Sequence, residues 1–257
     1  DAMALQMDLT SAEAGRLVKL LAPLSSADPD AAAGLALLKG WDGRETVSSA
    51  AAALYEIWAV RKLGPATVAA AAPPAARPLI GAGSLDAVIS LLEAPDATLG
   101  ADPKSARDAI LLASLADAVR DTRVLLGPDT ARWSWGALHK ATFRPAAAAL
   151  ADPALAAQMT VGPLQVRGSA STPAAATWRP SDFSAISGAS YRMVVDVGNW
   201  DASVAVNTPG QSGDPFSPHY RDLFPLWAGG DYFPLAYSDA AVDAAARDEI
   251  DLSPAAR

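Results

Sequence analysis

Gly188-Ala189-Ser190-Tyr191-Arg192-Met193-Val194-Val195-Asp196-Val197 leads to Gly210-Gln211-Ser212-Gly213 and Ser217-Pro218-His219-Tyr220-Arg221-Asp222, then to Leu226-Trp227-Ala228-Gly229-Gly230 and Tyr232-Phe233-Pro234-Leu235. Tyr191 to Val197 has the apolar bias of a half-buried or buried strand. Ala202 to Val206 resumes that bias after the turn residues Gly198-Asn199-Trp200-Asp201, a spacing that predicts an antiparallel hairpin. The glycines at 210 and 213 permit a sharp corner. Leu226 to Gly230 reads as an aromatic-capped turn and Asp231 to Tyr237 as a last strand. Val161 to Arg167 is an earlier strand candidate, and Ala240 to Glu249 a short helix before the tail.

Upstream the grammar is helical. Thr10 and Glu13 have the spacing of a capping box, with Leu17, Val18, Leu20 and Leu21 recurring at helical positions behind them. A second helix is predicted from Pro29 to Leu38. A third runs from about Val47 to Leu63, with Gly64-Pro65 as its stop. Residues 66 to 83, rich in alanine and proline, read as a connecting loop. Ser84 caps a helix to about Leu92, and Ser105 begins a longer one that ends at Gly127-Pro128-Asp129. The expected division is a helical lobe over residues 1–127 and a strand-rich part over 128–257.

The totals bound what such a chain can do. It has 257 residues, 51% of them hydrophobic, enough to bury a substantial core. Its net charge of −8, with no run of lysines or arginines, argues against nucleic acid as a partner. No stretch reaches the roughly 18 to 20 apolar residues of a membrane span, so a soluble chain is expected. The absence of cysteine removes disulfides, thiolate metal sites and cysteine nucleophiles. Asp1-Ala2-Met3-Ala4-Leu5-Gln6 has neither the basic start nor the apolar segment of a secretory signal, which is expected upstream in a longer precursor.

Three further segments carry a resemblance. Leu38-Lys39-Gly40-Trp41-Asp42-Gly43 precedes the run Ala50 to Trp58; Trp133-Ser134-Trp135-Gly136-Ala137-Leu138-His139-Lys140 precedes Phe143; and Gly162-Pro163-Leu164 leads to Gly168. Together with residues 188 to 237, and in that order, they resemble the C-terminal portion of the large subunit of penicillin acylases, a family of N-terminal nucleophile hydrolases. The resemblance implies an α+β fold in which the helical lobe is followed by strands that complete a four-layer αββα sandwich. It implies hydrolysis of N-acyl amides such as β-lactam antibiotics or N-acyl-homoserine lactones, without a cofactor, in the periplasm or outside the cell. In the family the attacking serine is the first residue of a processed chain. Here the first residue is Asp1, so the nucleophile is expected on a companion chain of the same precursor. A non-catalytic binding or scaffold module of the same descent is the alternative.

No catalytic residue and no metal ligand maps onto these positions, and substrate-binding residues stay unassigned. Ser212 lies on a glycine-rich turn, but a nucleophile elbow needs Gly-x-Ser-x-Gly and residue 214 is Asp. His139 and His219 read as structural, donating to a backbone carbonyl or carboxylate. Asp196, Asp201, Asp214 and Asp222 lack the alternation of a calcium loop and read as turn residues or ion-pair partners of Arg192 and Arg221. The seven tryptophans read as buried anchors, and Gly81-Ala82-Gly83-Ser84 as a helix N-cap rather than a phosphate loop.

Overall fold

The computed structural model describes residues 2–254; Asp1, on which the expectation about the nucleophile turns, lies outside them. A short helix α1 (Ala2–Gln6) precedes α2 (Ala12–Leu21). The cap of α2 is Ser11, not Thr10. The Thr10 backbone and hydroxyl both donate to Asp8 Oδ1, at 3.0 and 2.8 Å, which leaves Ser11 Oγ to accept from Ala14 N at 3.0 Å. Helix α3 (Pro29–Leu38) has the predicted bounds, because the Asp28 carboxylate accepts from two backbone amides and Pro29 opens the first turn.

The third helix overruns its expected stop. It begins as α4 (Ala50–Glu56), capped by Ser49, widens into a π-helical segment over Ile57–Leu63 and continues as α5 (Gly64–Ala71). The Gly64 amide reaches back five residues to Ala59 O. A wide turn of this kind changes the hydrogen-bond ladder where Pro65, with no N–H to give, follows, so the helix passes through it. Gly64 is needed for a different reason from helix termination. An added Cβ would sit 2.5 Å from the Ala82 carbonyl oxygen, so the 81–83 turn lies directly on the helix. Residues 66 to 83 are accordingly not one loop; the end of α5 and the single turn α6 (Arg77–Ile80) occupy much of them.

Helix α7 (Leu85–Glu93) has Ser84 in the N-cap place, although its hydroxyl makes no capping bond. Helix α8 (Pro103–Leu126) starts two residues before the expected Ser105, because Asp102 caps it by accepting from Ser105 N at 3.1 Å and Pro103 takes the first helical position. One core joins α2, α3, α4, the π segment, α7 and α8 through Leu17, Leu38, Leu54, Trp58, Ile89 and Leu115, all with no measurable exposure. Trp58 Nε1, otherwise an unpaired donor in that core, gives its hydrogen to Ser114 Oγ at 2.9 Å. Trp133, Trp135, Trp178 and Phe183 belong to the same core, so aromatic side chains from the second half complete the helical packing.

After the turn α9 (Trp135–Leu138), strand β1 (Lys140–Phe143) pairs antiparallel with β2 (Val161–Gln165), with α10 (Pro153–Met159) between them. β3 (Ala176–Trp178) pairs with β4 (Ala185–Gly188). β5 (Arg192–Val194) and β6 (Val204–Val206) form the predicted hairpin, in the register Arg192↔Val206 and Val194↔Val204, and β7 (Phe233–Pro234) adds to β6. Leu226 to Gly229 is not a turn but part of helix α11 (Phe224–Gly229), with Gly230 left-handed at its end. Helix α12 (Asp239–Ala245) is the short helix expected near the tail. A second, smaller core of Ala141, Val161, Val166, Ala176, Tyr220 and Phe224 lies against the first sheet. The fold is thus mixed helix and strand, with three small sheets among the described residues. Among those residues no helix is long and apolar enough to cross a membrane.

Candidate functional site

The densest set of buried polar groups sits where α4 meets the segment between β2 and β3. Glu45 is fully buried, and its backbone is held by Glu45 N donating to Leu9 O and Gly168 N donating to Glu45 O, each at 3.0 Å. Glu56, 3% exposed, projects from α4 into the same place and accepts from Trp178 Nε1 at 2.5 Å. Ser171 Oγ lies 2.9 Å from Ser11 Oγ and 3.3 Å from Glu45 Oε1, so its one proton serves either. Ser169 Oγ is 3.1 Å from Ser171 Oγ, and Tyr55 Oη is 3.4 Å from Ser11 Oγ. Glu56, Ser169, Ser171 and Trp178 line a cavity of about 140 Å³.

Two carboxyl groups in one enclosed place cannot both ionise without large cost. Burial, and then the charge of Glu56, push Glu45 up to about 10. Burial also raises Glu56, against the Trp178 hydrogen bond, which favours its charged form. Glu45 therefore keeps its proton at neutral pH, and the indole N–H favours the charged form of Glu56 against the burial that opposes it. Glu45 Oε2 meets no N–H or O–H of any other residue, the arrangement expected where the neighbouring carboxyl shares that proton. A carboxyl kept protonated is no base for a nucleophile. What the cluster can do is tie Ser11, α4 and the 168–178 segment together.

The residues of a self-contained catalytic set do not converge. Ser212 Oγ accepts from Asp214 N at 3.1 Å, and Ser212 N donates to His219 O, a backbone contact. The His219 ring turns instead to Asp222, with Nδ1 2.8 Å from Oδ2 on an exposed surface. Among the described residues no hydrogen bond joins the Ser212 hydroxyl to either histidine. His139 is fully buried and stacked on Trp135, ring centroids 4.6 Å apart. Burial lowers it to about 4, so it is neutral. Its ring faces the backbone of Val166 and Ala176, which favours the charged form, but among the described residues neither nitrogen reaches a partner at full hydrogen-bond geometry.

The aspartates fall into turns. Asp196 accepts from Gly198 N and Asn199 N, Asp214 from Phe216 N, and Asp201 from Tyr237 N and Ser238 N. The expected ion pairs with Arg192 and Arg221 are absent among the described residues: Arg221 donates to Gln158 O, and Arg192 is buried beside Trp227. Trp58, Trp133, Trp135 and Trp178 are the buried anchors expected, Trp41 and Trp227 are half-buried, and Trp200 is exposed. Glu45, Glu56, Ser169 and Ser171 went unmarked in the sequence. The available signal was Glu56 itself, a lone carboxylate inside an otherwise apolar helical run, Ala50 to Ala59.

This is a mixed α/β scaffold with an architectural polar interior, and its shape matches that of an acylase. The penicillin G acylase from Alcaligenes faecalis superposes with a TM-score of 0.54 over 97% of this chain and 48% of that one, at 19% identity. The chain belongs to the penicillin amidase family, whose model matches residues 1–244. It is similar to the acyl-homoserine lactone acylase QuiP of Pseudomonas putida, 34% identical over 214 residues that make up 78% of this chain and 26% of that protein. It is also similar to the penicillin acylase 2 proenzyme of Pseudomonas sp. (strain SE83), 37% identical over 123 residues, 47% of this chain and 16% of that one. The chain thus spans about a quarter of the length of the acyl-homoserine lactone acylase.

Proposed function

We infer that this chain is the C-terminal part of the large subunit of a penicillin acylase-like amidohydrolase, and that it supplies scaffold rather than reacting groups. The observation that carries this reading is a family match running through residues 1–244 of a chain that spans only 26% of its acylase relative. That no serine hydroxyl is hydrogen-bonded to a histidine among the described residues agrees with it. The nucleophile is then an N-terminal serine on a companion chain of the same precursor. Its α-amino group serves as base, since such an amine titrates at about 7.7 to 8. The helical lobe, 1–127, flanks the core, and the strands of 128–257 complete the four-layer αββα sandwich. The substrate is a small N-acyl amide, an N-acyl-homoserine lactone or a β-lactam antibiotic, and the compartment is periplasmic or extracellular.

The test is to express the complete reading frame and this chain separately, and to follow release of the free amine from an N-acyl-homoserine lactone and from penicillin G. The complete processed protein is expected to hydrolyse at least one, this chain alone neither, and replacement of the processed serine by alanine is expected to abolish turnover. Hydrolysis by the chain alone overturns the reading. A complete assembly inert toward both amides favours the non-catalytic scaffold instead.

A further inference from the structure

We propose that Arg167 and Arg192 form a binding site for a single carboxylate group. Arg167 follows β2 and Arg192 opens β5, so the two guanidinium groups come from different sheets. Both reach the C-terminal end of α11. Arg167 Nη2 donates to Gly229 O, and Arg192 Nη2 donates to Trp227 O at 2.5 Å. Capping helix carbonyls uses one donor of each, and a guanidinium has five. Arg192 Nη1 finds only the Met7 thioether, at 2.7 Å, a weak acceptor. The Nε atoms of both arginines are enclosed and have no hydrogen-bond partner among the described residues.

Charge points the same way. Other arginines of this chain are well supplied, half-buried Arg16 with Asp86 and Glu93, and exposed Arg120 with Asp30 and Asp117. Half-buried Arg167 and buried Arg192 have no carboxylate within ion-pair distance among the described residues; Asp231 is felt by Arg192 only at longer range. Arg192 is 8% exposed and sits 5.6 Å from the Trp227 ring and 5.8 Å from the Tyr232 ring, which soften but do not neutralise its charge. A buried guanidinium beside a second, half-buried one, with donors left over, is costly unless an anion completes the pair.

Size selects the ligand. Arg167 and Arg192 line a cavity of about 90 Å³ with Gln6, Met7, Tyr191 and Trp227. Pockets for drug-sized ligands run from roughly 300 Å³ upward, so a whole acyl amide does not fit and a carboxylate head does. Its planar pair of oxygens matches the guanidinium fork. The carboxylate comes either from an aspartate or glutamate elsewhere in the complete protein or from a small free acid.

The experiment follows the Nε–H signals of both arginines by ¹⁵N NMR while acetate replaces chloride at constant ionic strength. Both signals are expected to shift together and saturate. Arg167→Gln is expected to abolish the response while the chain still melts in one cooperative transition, lowered by no more than the lost bond to Gly229 O accounts for. Arg192→Lys, which keeps the charge and loses the fork, is expected to weaken acetate binding at least tenfold. The complete assembly distinguishes the sources. A site closed to acetate there, with Arg167→Gln loosening the assembly in denaturant, assigns the carboxylate to another part of the protein. A site that still takes acetate assigns it to a free acid. No saturable response in the chain, together with an assembly indifferent to both substitutions, overturns the proposal.

Discussion

Trp178 hands its indole hydrogen to Glu56 across 122 residues of sequence, at 2.5 Å and inside the larger of the two cores. The contact couples β3 to α4, and it gives a buried glutamate oxygen its indole donor. Trp178→Phe keeps the ring and deletes the donor. Leaving a buried acceptor unpaired costs about 1 to 3 kcal/mol, so the urea midpoint is expected to fall accordingly. Glu56→Gln, neutral and still able to accept, is expected to cost less than Trp178→Phe. Equal stability of Trp178→Phe and the parent chain would show the bond to be idle.

The same pair sets a pH dependence. The Glu45 carboxyl ordinarily titrates near 4.5 and is held up to about 10 in the fold. Above pH 4.5 the unfolded chain has released a proton that the folded chain keeps, so this group makes stability fall as pH rises from 4.5 toward 10. Glu45→Gln is expected to flatten that decline in melts taken across the range. A decline of unchanged slope in the variant would assign it to other groups.

His139 acts in the opposite sense. Burial lowers it from 6.5 to about 4, so between those values the unfolded chain takes up a proton that the folded chain refuses, and stability falls on acidification. Between pH 4.5 and 6.5 the two slopes oppose each other. His139→Phe, which retains a ring against Trp135, is expected to unmask the Glu45 slope in that interval. Superimposable profiles of variant and parent would contradict this.

Gly64→Ala tests the contact with the 81–83 turn. Propensity alone would favour alanine in a helix by about 1 kcal/mol. The Ala82 carbonyl oxygen, 2.5 Å from the new Cβ, reverses that sign, and overpacking of this kind costs about 1 to 3 kcal/mol. A stabilised variant would mean that the turn yields freely.

Ser212→Ala and His219→Ala, made together in the complete protein, are expected to leave kcat/KM within about twofold of the parent, because neither side chain reaches the other. A loss of about a hundredfold or more, the scale of removing a catalytic group, would place chemistry on this turn.

How far these features could be read beforehand depended on whether their cause was local. Helix α3 was legible to the residue because Asp28 and Pro29 declare its start. The start of α8 was misplaced, since Ser105 and Asp102 both have capping chemistry and only Pro103 decides between them. Strands β3 and β4 went unseen because Ala176, Ala185, Ser187 and Gly188 carry no strand signal of their own; Trp178 fixes their place by packing into the helical core. The glutamate pair was invisible for the same reason, its members meeting only through tertiary contact. The family resemblance reached furthest because it draws on the order of several segments at once.

The contacts that close this fold are far apart along the chain: Ser171 meets Ser11 across 160 residues, and Tyr232 Oη donates to Gln6 Oε1 across 226, at 2.5 Å. During synthesis the earliest residues must therefore wait for some of the latest ones before their hydrogen bonds can form. Loop closure over such spans slows acquisition of native structure. Until the later of these residues are made, then, the alanine-rich helices stand with their polar interior still unsealed, a period in which chaperone binding is expected to decide yield.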